Sequence, residues 1–279
     1  MPELPEAEVV VQQLRARLLG AQLTDYWVGR MDIIRKGGRT LSWYQSAVLQ
    51  QVQRFGKSVV LGFVKEHERR YIVAELGMTG LLLFRAAQTK HPQHVHVKML
   101  FAGASEPELR YWNPRRFGRL SLLDETGLER YVARRFGCDP LNVSPDEFVK
   151  MLRGRRGCLK PLLMHQQVIA GIGNIYANEI LFRTGLHPNR DASHIGDATR
   201  FKLYEQIQAV LRAAIRSGGS SVRDFFAPDG TEGQYKLQHL VYGKEGQPCP
   251  NQCGRVIRRL QSERSSFYCP LCQSQRSLR

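Results

Sequence analysis

Near the start of the chain, apolar residues recur at helical spacing. Val10, Leu14 and Leu18 follow one another every four positions, which stacks side chains on one helix face. Pro5 suits the first position of such a helix, where its missing N–H would be unpaired anyway. Glu6 and Glu8 then face the positive end of the helix dipole, and Gly20 supplies a stop. The spacing predicts one helix over 1–20. It leaves Pro2 and Glu3, ahead of the periodic residues, unexplained.

The period then changes. Short apolar or alternating runs occupy 23–28, 48–55, 58–64, 71–76, 81–84, 95–101, 109–112 and 119–123. They are rich in β-branched and aromatic residues, and Gly, Asn or Pro separates several of them, as in an antiparallel sandwich or barrel. No helical crossover lies between them, which argues against a parallel sheet. From about residue 125 helical spacing returns, over 124–136, 145–153, 159–169, 175–184 and 198–217. The stretch 219–236 is a polar loop too rich in glycine for a core element, and loops of that length are functional or disordered. The expected fold is α+β: an N-terminal β-sandwich with an N-terminal helix (1–125), a helical middle (126–238) and a small cysteine-bearing module (239–279).

Composition adds a partner class. The 279 residues include 41 Lys and Arg against 25 Asp and Glu, a formal charge of +16. A polyanion such as nucleic acid is the natural partner, because each neutralised phosphate releases counterions. The positive charge is also clustered, in RGRR at 153–156 and in the tail from Cys249 to Arg279, where six Arg face one acid, Glu263. No stretch approaches the ~18 apolar residues of a membrane span. The acidic start has no apolar signal-peptide core, so a cytoplasmic protein is expected; no interface signature stands out, and a monomer is expected.

Four of the six cysteines lie in that tail. Three residues separate Cys249 from Cys253, two separate Cys269 from Cys272, and fifteen separate the pairs. Two knuckles separated by a hairpin bend four thiolates towards one ion, the arrangement of a closed structural Zn²⁺ site. Disulfides or an iron–sulfur cluster are the alternatives. Cys138 and Cys158 stand alone and read as small packing residues. In the middle, GIGNIYANEILF (171–182) places Gly-Ile-Gly-Asn before a helix, with Asn174 as the expected N-cap. Free amides at a helix start can hold a phosphate, and Lys160 with the nearby arginines adds to that reading. A helix-hairpin-helix would fit the same residues.

Together, PELPE at the start, GIGNIYANEILF in the middle and the two knuckles at the end resemble the formamidopyrimidine-DNA glycosylase family, from residue 2 to residue 272. The resemblance implies a helix-two-turn-helix in the middle region, a lesion-capping loop at 219–236, and a bifunctional enzyme of base excision repair. Such an enzyme excises oxidised purines from double-stranded DNA and nicks the strand by β,δ-elimination. It also implies that Pro2, once Met1 is removed, is the nucleophile. An α-amino group has a pKa of about 7.7–8.0, so a usable fraction is neutral. Glu3 matches the family's proton donor, and Glu6 a second carboxylate. Lys57 in RFGKSVVL matches a lysine of the elimination steps, and Arg264 in ERSSFYC an arginine of δ-elimination and phosphate clamping. Asn174, Lys160, His94, Arg115 and Arg155 match contacts to DNA or near the lesion. Met78, Arg115 and Phe117 match the side chains that fill the gap left by a flipped base.

Two features depart from the family. The first knuckle is C-x3-C rather than C-x2-C, which bears on zinc affinity and on the position of Arg264, and His165 stands where an acid is expected. An endonuclease VIII-type glycosylase for oxidised pyrimidines is the rival within the fold, but its start reads PEGPE and it lacks the PRRF wedge. A zinc-bearing DNA-binding protein without catalysis is the other rival; the presence of Pro2, Glu3 and Lys57 argues against it.

Overall fold

The computed structural model describes residues 2–88, 91–221, 225–261 and 263–274. Two compact units emerge, Met1–Arg135 with Ile215–Lys236, and Phe136–Ala214 with Leu237–Arg279.

In the first unit, helix α1 runs over Leu4–Leu18, shorter than the expected 1–20. Glu3 is its N-cap, and Pro5 takes the second helical position rather than the first. Either position spares a hydrogen bond, since the first four N–H groups of a helix have no partner within it. Leu4, Ala7, Val10, Val11, Leu14 and Leu18 are fully or almost fully buried.

The predicted strands form at nearly the predicted positions: β1 (Gln22–Val28), β3 (Val48–Phe55), β4 (Ser58–Lys65), β5 (Glu68–Glu75), β6 (Leu81–Phe84), β7 (Val95–Ala102), β8 (Glu108–Trp112) and β9 (Arg119–Asp124). A three-residue strand, β2 (Ile34–Lys36), adds itself parallel to β9. The sheet order is β2-β9-β5-β4-β3-β1-β7-β8-β6. β1 and β3 share only the pair Gln22 and Val48. That narrow link lets the two halves fold over one core, where Phe63 of β4 stacks on Phe101 of β7 at 6.4 Å. The arrangement is a sandwich whose sheets are joined at one corner. β4 reads as an unbroken apolar run because both its faces are covered. One faces that core; on the other, Val60 packs with Leu128 of helix α2 (Glu125–Arg135). The returning segment docks on the main core, with Phe225 in it and Phe84 N–H donating to Pro228 O at 2.7 Å. Residues 222–224 of the expected capping loop lie outside the described residues.

The second unit contains α3 (Pro145–Leu152), α4 (Leu159–Met164), α5 (Asn174–Thr184), α6 (Asp197–Arg216, into the boundary) and the hairpin β10 (Arg258–Leu260) and β11 (Ser266–Tyr268). α4 ends five residues before the expected Ile169. The Gln166 amide explains the stop: Nε2 donates to Met164 O (2.8 Å) and Ile172 O (2.9 Å), and Oε1 accepts from Gly171 N–H (2.8 Å). These bonds convert the continuation into a turn that leads to α5. There Gly173, not Asn174, is the N-cap, and Asn174 is the first helical residue. Gly185, in the left-handed region at φ +78°, ends α5. Among the described residues no helix is long and apolar enough to cross a membrane.

Candidate active site

Pro2 and Glu3 are buried at the start of α1. A reciprocal capping box fixes Glu3: its backbone N–H donates to Glu6 Oε2 at 2.7 Å, and its side chain accepts from the Glu6 N–H. The other Glu6 oxygen accepts from Ser220 N–H at 2.7 Å. Gly219, at φ +84°, makes this approach possible, since a Cβ there would lie 2.9 Å from Glu6 Oε1. One carboxylate thus ties the Pro2–Glu3 segment to the start of the 219–236 loop. Met1 lies outside the described residues.

Lys57 occupies the two-residue turn between β3 and β4, where Gly56 takes φ +57°, as a tight hairpin of this kind requires. An arginine with no signal of its own in the apolar pattern holds the turn. Arg54 Nε pairs with Glu8 Oε2 of α1 at 2.8 Å, and its Nη1 donates to Gly56 O at 3.1 Å. The pattern that could have revealed it is a carboxylate on the second turn of α1 and an arginine two residues before the turn glycine.

Met78 and Phe117 are large apolar side chains left exposed, at 41% and 59%. The Arg115 guanidinium lies 4.8 Å from the centre of the Phe117 ring, a cation–π contact. His94 is half-buried beside Trp112, with ring centroids 6.2 Å apart.

Within the second unit, Lys160 is buried rather than presented to solvent. Its ammonium donates to Arg264 O (3.1 Å), Ser265 O (2.7 Å) and Ser266 Oγ (2.8 Å). Lys160 therefore grips the backbone beneath the exposed Arg264. Ser262, at the hairpin tip, lies outside the described residues. Asn174 O accepts from Asn178 Nδ2 at 2.6 Å, and the buried Asn174 Oδ1 has no hydrogen-bond partner. Arg155 is exposed. His165 is also exposed, and its backbone closes the turn after α4; nothing in the structure explains its side chain.

The four tail cysteines converge. All four sulfurs lie within 4.8 Å of one another, with Cys253–Cys269 at 3.4 Å and Cys249–Cys272 at 3.7 Å. A tetrahedron of Zn–S bonds of about 2.3 Å has edges of about 3.8 Å, so the donor set fits zinc. Burial pushes the Cys249 thiol up to about 12, so metal binding there displaces a proton. The extra residue of the first knuckle is absorbed by Gln252, in the left-handed region at φ +53°.

Two further buried residues hold this module to α5. Glu179 accepts backbone N–H bonds from Leu240 (2.9 Å), Val241 (3.0 Å) and Tyr242 (2.9 Å). Asn178 Oδ1 accepts from Phe267 N–H of β11 at 2.7 Å. Both are fully buried. Their signal in the sequence is two adjacent polar residues inside the apolar run IYANEILF.

Comparison with known proteins agrees with this arrangement. Residues 1–120 match the formamidopyrimidine-DNA glycosylase N-terminal domain, 136–226 the formamidopyrimidine-DNA glycosylase H2TH domain, and 246–275 the zinc finger found in FPG and IleRS. The formamidopyrimidine-DNA glycosylases of Gluconobacter oxydans and Methylococcus capsulatus are each 36% identical, over 98% of this chain and 100% of theirs. The MutM (FPG) structure from Thermus thermophilus superposes with a TM-score of 0.83 at 33% identity, covering 98% of both chains. The Lactococcus lactis Fpg complex with abasic-site DNA gives 0.85 at 27% identity, over 98% of this chain and 99% of that one.

Proposed function

The chain belongs to the formamidopyrimidine-DNA glycosylase family and is a glycosylase of DNA repair, and on that premise we propose that it excises oxidised purines and then cleaves the strand through a covalent intermediate at Pro2. The observation that carries the reading is the buried Pro2–Glu3 pair, fixed at the start of α1 by Glu6. With Met1 removed, Pro2 is a secondary amine. Its nitrogen attacks C1′ of the damaged nucleotide, the bond from C1′ to the base breaks with its electrons leaving on the base, and the proton lost by the nitrogen neutralises the departing base. Glu3 protonates the ring oxygen, the sugar opens, and the nitrogen becomes an iminium. That cation takes up the electron pair released when a C2′ proton leaves, and the resulting enamine returns it to expel the 3′ phosphate. Loss of a C4′ proton then drives a second elimination that expels the 5′ phosphate.

Lys57, held on its turn by Arg54, serves the eliminations. Arg264 serves the second of them and clamps phosphate. Glu6 acts by aligning the Pro2–Glu3 segment with the capping loop, and Lys160 by holding the backbone that carries Arg264. His94, Arg115, Arg155 and Asn174 contact the DNA. Met78 and Phe117 enter the stack in place of the flipped base; their exposure supports this. One structural zinc ion, held by Cys249, Cys253, Cys269 and Cys272, shapes the hairpin and takes no part in the chemistry. The protein works as a monomer on chromosomal DNA in the bacterial cytoplasm.

Borohydride reduces the iminium and freezes the adduct. The zinc-loaded chain should be trapped on duplex DNA carrying 8-oxoguanine opposite cytosine, and to a lesser extent on one carrying thymine glycol. Absence of an adduct, or equal trapping by Pro2→Gly, would sink the mechanism. A preference for thymine glycol would reassign the substrate class to oxidised pyrimidines.

A further inference from the structure

The loops that carry Met78 and Phe117 meet backbone to backbone. A Cβ on Gly77 would lie 2.5 Å from Gly118 N, and one on Gly118 would lie 2.3 Å from both Glu75 O and the Tyr111 hydroxyl. Only glycine allows the loops to come this close. Tyr111, on β8, is fully buried at their junction. Its hydroxyl donates to Glu75 O at 2.8 Å and accepts from Asn113 Nδ2 at 3.1 Å.

Each of these partners begins one of the two loops. Glu75 leads into the turn that holds Met78, closed by Gly80 N–H on Leu76 O at 2.8 Å. Its carboxylate is anchored by Arg119, by the Tyr131 hydroxyl (2.7 Å) and by Arg135 (2.9 Å). Asn113 opens the loop that holds Arg115 and Phe117. Its N–H donates to His94 O at 2.9 Å, and its carbonyl lies 3.0 Å from His96 Nε2 and 3.3 Å from the donating Arg116 N–H. Burial raises the Tyr111 phenol well above its ordinary value, so the hydroxyl remains a donor.

We infer that Tyr111 is a positioning residue for base flipping: its hydroxyl locks the two loops into one body, so that Met78 and Phe117 enter the DNA stack together at a set spacing. The inference rests on the wedge reading of Met78 and Phe117. Without the hydroxyl the ring still fills its place in the core and Glu75 stays paired with Arg119 on β9. The bonds that join Asn113 to Glu75 through the hydroxyl are lost, however, and the tips that carry Met78 and Phe117 can shift relative to each other. A shift of about 1 Å in a positioning element can cost up to roughly a hundredfold in rate. The loss should fall on steps that require unstacking and spare those that do not.

The test compares Tyr111→Phe with wild type, both zinc-loaded and full length. Single-turnover excision of 8-oxoguanine from duplex DNA should slow roughly tenfold or more. The fluorescence rise of a 2-aminopurine beside the lesion, which reports unstacking, should shrink in parallel. Borohydride trapping on a preformed abasic site should stay within about twofold. In a Met78→Ala/Phe117→Ala background the Tyr111→Phe effect should disappear, because residues acting through one element are not additive. If Tyr111→Phe excises at the wild-type rate while the wedge variant is slow, the inference fails and the wedge reading stands. If the wedge variant itself is as fast as wild type, the wedge reading fails and takes the inference with it. A Tyr111→Phe defect that persists undiminished in the wedge background, or that equally abolishes abasic-site trapping, assigns Tyr111 to general stability and overturns the inference.

Discussion

At the start of α1, Pro2 and Glu3 belong to a helix whose apolar side is buried from Leu4 to Leu18, whereas Arg264 sits near the tip of a hairpin with three residues in each strand. The first location needs few polar contacts. Leu4, Ala7 and Val11 pack into the sandwich core or are buried beside it, and one carboxylate, Glu6, orients what precedes them. The second packs on a small apolar cluster of Phe182, Leu240, Val241, Ile257, Phe267 and the cysteines. So short a hairpin cannot bury enough surface to hold itself. It is held from outside, by the metal through its cysteines, and by Lys160, Asn178 and Glu179 through its backbone and that of the preceding segment. Packing fixes a group when a long element carries it; polar clamps and an ion replace packing when the element is short.

The largest effect should come from removing the metal. Structural zinc contributes roughly 10 kcal/mol or more to the folding of small modules. After complete chelation, amides 258–260 and 266–268 should exchange with solvent within seconds to minutes, while those of α1 and β4 keep their protection. DNA affinity should fall about tenfold or more as Arg264 loses its place. Retained protection in β11 would mean that Lys160 and Asn178 hold the hairpin without the ion, and the comparison would have to be redrawn around the clamps alone.

Glu179→Ala tests those clamps with the metal in place. It strands three backbone N–H groups, each costing about 1–3 kcal/mol when left unpaired in a buried site. Urea unfolding should show a loss of roughly 3 kcal/mol or more, and exchange at 240–242 should quicken. Glu179→Gln, which retains one acceptor oxygen, should recover part of the loss. If Glu179→Ala instead unfolds within about 0.5 kcal/mol of wild type, the three bonds contribute little, and the module is positioned by its metal and Asn178.

The same contrast explains which parts were legible in the sequence. β4 and β6 are legible because their apolar runs are buried almost throughout, and the cysteine spacing is legible because a tetrahedral ion restricts the geometry. β2 was missed: three residues carry no period, and its parallel pairing with β9 depends on residues far away in sequence. α4 stops short of its periodic pattern because Gln166 ends it through bonds that have no period. Pro2 and Glu3 carry no local pattern of their own, and only the resemblance gave them a role. Arg54, Asn178 and Glu179 leave no trace in the periodic pattern for a related reason. Their importance lies in backbone groups that they satisfy elsewhere, and a buried polar residue in an apolar run does not say which group it will meet.

The smallest predicted effect concerns the unusual first knuckle. Its additional residue is accommodated by Gln252 at φ +53°, a region where an L-residue costs about 1–2 kcal/mol and glycine nearly nothing. The Gln252 side chain is exposed, and its backbone N–H donates to Cys249 O at 2.9 Å, a bond that glycine would retain. Gln252→Gly therefore relieves strain in the metal-bound form, partly offset by glycine's greater freedom when the knuckle is open. The net gain should be roughly 0.5–1 kcal/mol, or about two- to fivefold tighter zinc binding by chelator competition. Exchange at 240–242, held by Glu179 rather than by the knuckle, should not change. Unchanged or weaker zinc binding would mean that the knuckle bears no strain at Gln252. A change in protection at 240–242 would show that the metal and the polar clamps are coupled instead of holding the module independently.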